Sequence, residues 1–146
     1  MPSTSYAAFD AKDIGSATLL SQIKLRGSGD AVTARQAVAR YMKEQGASAL
    51  KITRFATAVS EIARNALVHA GGGEFSIYVD RNRRRLCVVC WDKGPGIADV
   101  PQALTDGFTT AGGLGRGLGG AQRLSTRFEI RTAPGAGTSV MMGVDL

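Results

Sequence analysis

The apolar residues between positions 49 and 70 recur at a helical spacing. They are Ile52, Phe55, Ala56, Val59, Ala63, Ala66, Leu67 and Ala70. This i, i+3, i+4, i+7 stripe runs over five turns and predicts an amphipathic helix. Ser48 is a suitable N-cap, and the Gly71-Gly72-Gly73 run ends the helix. The pattern therefore predicts one long helix that packs on a core.

The rest of the chain alternates between helical and extended patterns. Ala34, Ala37, Val38 and Tyr41 share one face of a helix predicted from its N-cap, Asp30, to about Gln45. Two shorter helices are predicted over residues 99–104 and 118–124, with a long loop over 105–117. Strands are predicted over 21–26, 74–79, 85–91, 126–131 and 138–144. This order predicts an α/β two-layer sandwich, a mixed β-sheet with helices on one face.

Length and composition add limits to this fold. A chain of 146 residues with 44% apolar content fits one domain, which we place at residues 21–146. Residues 1–20 show no sustained period and are predicted to form a flexible N-terminal extension. No apolar run approaches the ~20 residues that span a bilayer, and the first residues do not resemble a signal peptide. We therefore expect a cytoplasmic protein without a membrane partner.

The formal net charge of +6 favours anionic partners. Nucleotides, acidic protein surfaces and nucleic acid all qualify, but no nucleic-acid-binding motif accompanies the charge. We therefore expect no nucleic-acid partner, and interpret Arg81 to Arg85 as a solvated hairpin turn. Cys87 and Cys90 lie three apart on a predicted strand, so their side chains point to opposite faces. They are predicted to be reduced, buried thiols and not a metal site.

Nine of the nineteen glycines fall between Gly94 and Gly120. Glycine permits positive φ and close approach of backbone to a ligand. The cluster from Gly112 to Gly120 ends at a predicted helix start, where backbone N–H groups form an anion site. The cluster lacks the G-K-[ST] of a P-loop and the βαβ unit of a dinucleotide-binding fold. These features suggest a pocket for a nucleotide and its metal.

Three polar residues are candidates for that pocket's chemistry. Glu61 and Asn65 are neighbours on the long helix, and the Asn65 carboxamide suits Mg²⁺. Glu61 lies nearly opposite the apolar stripe, so by itself it predicts an exposed glutamate. Asp92 follows a strand and could accept a hydrogen bond from an exocyclic amine such as that of adenine, although Asp92 to Pro95 fits a simple turn equally well. His69, the single histidine, is predicted to be a packing residue at the helix end.

These motifs together resemble the GHKL ATPases. Glu61-x-x-x-Asn65, Asp92-x-Gly94-x-Gly96 and Gly113-x-Gly115-x-Gly117-x-Gly119 match that superfamily's three nucleotide-binding boxes. The match is closer to the anti-sigma-factor serine/threonine kinases, and among these to the stressosome switch kinases. It covers residues 22–144 and implies a Bergerat fold, ATP with Mg²⁺, and phosphorylation of serine or threonine on a STAS-domain partner.

The resemblance also implies roles for individual residues. Glu61 would be the general base, Asn65 the magnesium ligand and Asp92 the reader of adenine. Gly94, Gly96 and Ile97 would shape the base pocket, with Thr138 near the adenine. The lid over the phosphates would consist of Phe108, Thr109, Thr110, Gly113, Leu114, Gly115, Arg116, Gly117, Leu118 and Gly119, and we assign Arg116 no fixed role within it.

Two functions follow from this resemblance. The first is an ATP-dependent protein serine/threonine kinase that acts as a regulatory switch. The alternative is a non-catalytic module that holds nucleotide only to shape a surface for a sigma factor or a PP2C-type phosphatase. The presence of both Glu61 and Asn65 favours catalysis, because a protein that only binds nucleotide does not need both.

Overall fold

We analysed the protein in a computed structural model that describes residues 8–15, 17–105 and 117–146. Four helices lie in this part of the chain: α1 (Ser28–Glu44), α2 (Ala49–Ala70), α3 (Val100–Ala103) and α4 (Gly117–Arg123). Five strands accompany them: β1 (Thr18–Leu25), β2 (Gly73–Asp80), β3 (Arg85–Asp92), β4 (Arg127–Ala133) and β5 (Gly137–Asp145). None of these helices is long and apolar enough to span a bilayer.

Local chemistry explains the ends of the two long helices. The Ser48 hydroxyl accepts a hydrogen bond from the Lys51 amide and caps α2, as predicted. Gly71 ends α2 in the left-handed conformation that glycine adopts without strain. Asp30 acts differently from the prediction, because α1 begins two residues before it. Its carboxylate accepts from the amides of Arg26 and Gly27, at 2.8 and 3.1 Å, from within the first turn.

The five strands form one sheet in the order β1-β2-β3-β5-β4. The α/β two-layer arrangement is confirmed, but the expectation of a mixed sheet is wrong, since every neighbouring pair of described strands is antiparallel. β3 and β4 run parallel to each other, but β5 folds back from β4 and lies between them, so the two parallel strands are not neighbours.

The main core lies between the sheet and the helices. α2 crosses the sheet, while α1 and α4 pack against α2. Inward-facing residues alternate along each strand, as in Leu86, Val88 and Cys90 of β3. Cys87 and Val89 point to the opposite face, so the prediction that the two cysteines face apart is confirmed, and both are free and buried.

The outer face of the sheet is covered in part by the N-terminal segment. Phe9 and Ile14 are buried in a second apolar cluster with Tyr78, Cys87 and Met141. A single 3₁₀ turn, Ala11–Ile14, forms there. The predicted extension over residues 1–20 therefore contacts the sheet from Phe9 onward and enters β1 at Thr18. Residues 1–7 lie outside the described part of the chain.

Candidate nucleotide site

A cavity of about 280 Å³ opens beside the C-terminal end of α2. It is bounded by the last turns of α2, the end of β3, the turn that follows, α3, and the first residues of α4 and β5. Its lining residues are Asn65, His69, Ala70, Asp92, Pro95, Gly96, Ile97, Ala98, Asp99, Gln102, Ala103, Leu118 and Thr138. Five separate elements thus converge on one concave site, as in most small-ligand pockets.

Asp92 is the buried carboxylate of this cavity. It is 7% exposed, and its Oδ1 accepts hydrogen bonds from the Gly94 amide at 2.9 Å and the Thr138 amide at 3.2 Å. Burial raises the pKa of Asp92, although the two amide hydrogen bonds and the nearby His69 oppose the rise. The carboxylate is therefore held in a fixed orientation at the cavity wall by backbone groups from two strands' ends.

The turn after Asp92 depends on glycine at two positions. A Cβ at Gly94 would collide with the side chain of Ala70 on α2. Gly96 has φ +77°, and a Cβ there would collide with the carbonyl of Ala133. Both glycines therefore let the turn lie close against its neighbours, which the sequence had suggested only as a preference for a tight turn.

A threonine pair ties that turn to β5. The Ile97 amide donates to Thr132 Oγ1 at 2.9 Å, and Thr132 Oγ1 donates to the Gly137 carbonyl at 2.8 Å. Since the Thr132 proton is used in this way, the 3.1 Å contact between the two hydroxyls has Thr138 as its donor. Thr138 and the Asp92 turn are thus parts of one hydrogen-bonded wall.

Glu61 is buried, and the prediction of an exposed glutamate is wrong. Only 3% of the residue is exposed, because the start of α4 packs over this face of α2. Its Oε2 accepts from the Gly117 amide at 2.7 Å, and its Oε1 pairs with Arg64 at 2.8 Å. A buried carboxylate is tolerated because each of its two oxygens accepts a hydrogen bond.

Glu61 is not among the described residues that line the cavity. It lines a separate groove of about 510 Å³ between α1 and α2. Gly117, which hydrogen-bonds to Glu61, directly precedes Leu118, which lines the nucleotide cavity. The first turn of α4 therefore separates the predicted base from the predicted adenine end of the site.

Asn65 and His69 line the cavity from successive turns of α2. Asn65 is half-buried, and its role as a magnesium ligand stays a prediction. His69 is exposed, so the expectation that it packs at the helix end is wrong. His69 instead lines the wall of the cavity.

The donor set fits a magnesium ion held chiefly by phosphates. No group of three or more His, Cys, Asp or Glu side chains capable of holding a metal occurs in the described residues. Mg²⁺ bound beside phosphates keeps several waters and needs only one or two protein oxygens. A single carboxamide such as Asn65 on the cavity wall is compatible with that chemistry.

The structure brings predicted residues of the base pocket, the magnesium ligand and one lid residue together in one place. Asn65, Asp92, Gly96, Ile97, Leu118 and Thr138 all line the cavity. Gly117 and Gly119 lie buried in the first turn of α4. The other predicted lid residues, Phe108, Thr109, Thr110, Gly113, Leu114, Gly115 and Arg116, lie outside the described residues.

Sequence reasoning missed several residues that line the cavity. Asp99 caps α3 by accepting from the Gln102 amide at 3.0 Å, and both residues line the site. The i+4 spacing of His69 from Asn65 would have placed His69 beside it. No spacing of this kind in the sequence placed Asp99 at the cavity, because its position depends on how the Asp92 turn folds back toward α2.

Comparison with known proteins identifies a protein family and individual proteins to which this chain is similar. Residues 28–144 match the histidine kinase-like ATPase domain. The chain is 38% identical over 122 residues to the serine/threonine-protein kinase RsbT of Bacillus subtilis, covering 82% of this chain and 92% of that protein. It is 30% identical over 115 residues to the anti-sigma F factor of Caldanaerobacter subterraneus, covering 75% of this chain and 80% of that protein. The anti-sigma F factor of Pasteuria penetrans is also 30% identical, over 118 residues, covering 75% of this chain and 78% of that protein.

Proposed function

Since this chain belongs to the histidine kinase-like ATPase family and is a protein serine/threonine kinase of that family, we propose that it phosphorylates a STAS-domain antagonist. In this proposal it acts as a regulatory switch in a partner-switching pathway. The antagonist carries the accepting serine or threonine. A sigma factor or a PP2C-type phosphatase is the partner whose activity the switch controls.

The observation that carries the proposal is the Asp92 carboxylate held at the cavity wall by the Gly94 and Thr138 amides. A fixed, buried acceptor suits the exocyclic amine of adenine, which guanine replaces with a carbonyl oxygen. The apolar lining of the cavity, including Ile97, Ala103 and Leu118, suits the faces of a purine ring. The adenine end of ATP is therefore assigned to this cavity.

The proposed phosphoryl transfer requires positioning and charge neutralisation more than covalent chemistry. Bound Mg²⁺ would neutralise charge on the phosphates, and Asn65 is the residue that would help to hold it. Glu61 would accept the proton of the attacking hydroxyl as the oxygen–phosphorus bond forms and ADP leaves. The hydrogen bond from Glu61 to the Gly117 amide supports this role, because it fixes the carboxylate beside the chain segment predicted to cover the phosphates.

The proposal is tested by measuring the intact mass of a candidate STAS-domain protein after incubation with this kinase and Mg-ATP. A gain of one phosphate on a serine or threonine is expected, and it should be lost with Glu61→Gln. If the partner binds in a nucleotide-dependent manner but gains no mass, the STAS protein is a binding partner and not the substrate. In that case the non-catalytic alternative describes the interaction.

A further inference from the structure

A basic surface lies at the end of the molecule opposite the nucleotide cavity. The cavity adjoins the last turn of α2, and this surface adjoins the first. α2 has 22 residues, so the two ends are about 30 Å apart at 1.5 Å per residue. The surface, called here the basic pole, comprises Lys51, Arg54 and Arg123 around a groove, and Arg84 lies at the neighbouring α1–α2 connection.

The groove of the basic pole combines cations with apolar side chains. It has a volume of about 360 Å³ and is formed by the start of α2, the end of α4, the connection that leads from α4 into β4, and the end of β5. Lys51, Arg54 and Arg123 line it, and none of its described lining residues is acidic. Leu50 stands beside them at 70% exposure, the highest among the large apolar residues of the described chain.

The neighbouring structure fixes part of this surface. The Arg84 guanidinium donates to the Gln45 carbonyl in the α1–α2 connection at 3.3 Å. Asp145, at the end of β5, is paired with Arg85 at 3.1 Å, so its charge is already compensated. The backbone that carries the pole consists of strand ends and a capped helix start, which do not need to reorganise for binding.

We propose that the basic pole is a docking surface for an acidic segment of a protein partner, with an apolar side chain of that segment seated between Leu50 and the groove. Opposite charge would steer the segment toward the pole. Desolvated contact with Leu50, Leu124 and Val144 would provide the apolar anchor that protein interfaces place at their centre. The surface is separate from the cavity, so this inference does not rest on the proposed kinase substrate.

The lining favours a protein segment over nucleic acid or a membrane. Proteins that bind single-stranded nucleic acid stack bases on aromatic side chains, and none of the described residues lining the groove is aromatic. Binding at an anionic lipid surface uses a broad apolar face that sinks into the bilayer, whereas this site offers one projecting leucine above a concave groove. An acidic segment with a single apolar anchor matches both its charge and its shape.

The test compares three fluorescent probes at about 0.15 M salt, where surface charges are screened beyond ~8 Å. The probes are a short peptide rich in Glu and Leu, a DNA duplex, and vesicles that contain phosphatidylserine. Each is titrated with the wild-type protein, with Leu50→Ser, and with the double variant Lys51→Glu/Arg54→Glu. The matched control is Lys24→Glu/Arg26→Glu, which makes the same charge change at exposed positions at the cavity end.

The peptide should bind to the wild type and to the control alike, and at least tenfold more weakly to both pole variants. These variants should fold, since Leu50 is exposed and Lys51→Glu completes a Ser48-x-x-Glu capping box. Unchanged affinity for adenine nucleotide would verify that folding. The proposal is overturned if the peptide does not bind, if the control loses as much affinity as the pole variants, or if DNA or vesicles bind as tightly as the peptide.

Discussion

At the scale of single residues, Asp92 is the group expected to distinguish adenine from guanine. Its carboxylate is buried and oriented by the Gly94 and Thr138 amides. A hydrogen bond to a charged group contributes about 1.5–3 kcal/mol, so Asp92→Asn should weaken ATP binding roughly tenfold or more. Calorimetry with ATP and GTP measures this, and equal binding of the two nucleotides by the wild type would rule out the role.

Burial of Asp92 also predicts a pH dependence. The ionised Asp92 carboxylate is the stronger acceptor for adenine's amine, and the pKa of Asp92 is raised by burial. Asp92 therefore takes up its proton at a higher pH than an ordinary aspartate, and affinity should begin to fall with decreasing pH before the usual aspartate range is reached. Titration with adenosine avoids the ionisation of the phosphates. His69→Gln, which removes the imidazole that lines the cavity with Asp92, should keep the decline, and loss of the decline in that variant would contradict the assignment to Asp92.

Substitutions of Glu61 and Asn65 should affect different steps, although the two residues are one helical turn apart. Glu61→Gln keeps the shape of a buried side chain but cannot accept the hydroxyl's proton, and general-base catalysis typically contributes 10²–10⁴-fold. Partner phosphorylation should fall by that order while nucleotide affinity changes little. Asn65→Ala should instead weaken nucleotide binding measured with Mg²⁺ more than binding measured with EDTA.

A wild-type rate of phosphorylation in Glu61→Gln would show that the buried carboxylate has only a structural task, namely to hold Arg64 and the Gly117 amide. Thermal unfolding of both variants is the control. It distinguishes a lost catalytic group from a lost fold, which matters because Glu61 is buried.

At the scale of elements, the sequence correctly predicted the features that depend on residues close together in the chain. The bounds of α2 followed from its apolar stripe, its Ser48 cap and Gly71, and the hairpin turn from Arg81 to Arg85 was correctly placed between β2 and β3. The burial of Glu61 was missed, because it depends on α4, a segment 56 residues away along the chain. The fully antiparallel sheet was not predicted for the same reason, because the pairing of β3 with β5 is a choice among partners distant in sequence.

The turn from β3 to α3 shows how backbone conformation builds the site. Gly96→Ala adds a methyl group at φ +77° against the Ala133 carbonyl, and forcing such a conformation costs about 1–3 kcal/mol. We expect a loss of that size in urea unfolding, together with weaker ATP binding. The matched control is Gly29→Ala in α1, where a Cβ meets no atom within 4 Å. Alanine there should stabilise the protein by up to about 1 kcal/mol, and equal losses in both variants would contradict the argument.

At the scale of the whole molecule, the sheet separates two apolar clusters of unequal size. The helices cover one face, and residues 9–15 with Ala17 cover part of the other. Polar contacts fasten this N-terminal segment: Asp13 pairs with Arg131 at 2.8 Å, and the Phe9 amide donates to the Ser139 hydroxyl at 3.2 Å. The Arg131 guanidinium also lies 4.1 Å from the centre of the Phe9 ring. No periodic pattern in the sequence marks this segment, because a single turn buries its apolar residues at irregular spacing.

Cys87 and Cys90 can report on the two clusters separately. Cys87 belongs to the outer cluster with Phe9, and Cys90 belongs to the main core, where its thiol contacts the Ile62 carbonyl. Burial raises the pKa of both thiols, so both should react slowly with a thiol reagent in the native protein.

Phe9→Ala should therefore accelerate labelling of Cys87 and leave Cys90 protected. Removing the ring deletes the apolar contacts that hold the segment on the sheet, which contribute about 1.5–3 kcal/mol for a buried side chain of this size. Nucleotide affinity should not change, since the cavity is bounded by other elements. Lys12→Ala, an exposed change on the same turn, is the control and should label as slowly as the wild type. Labelling of both cysteines together in Phe9→Ala would indicate global unfolding, and the N-terminal segment would then be an integral part of the domain's stability and not a separable cover.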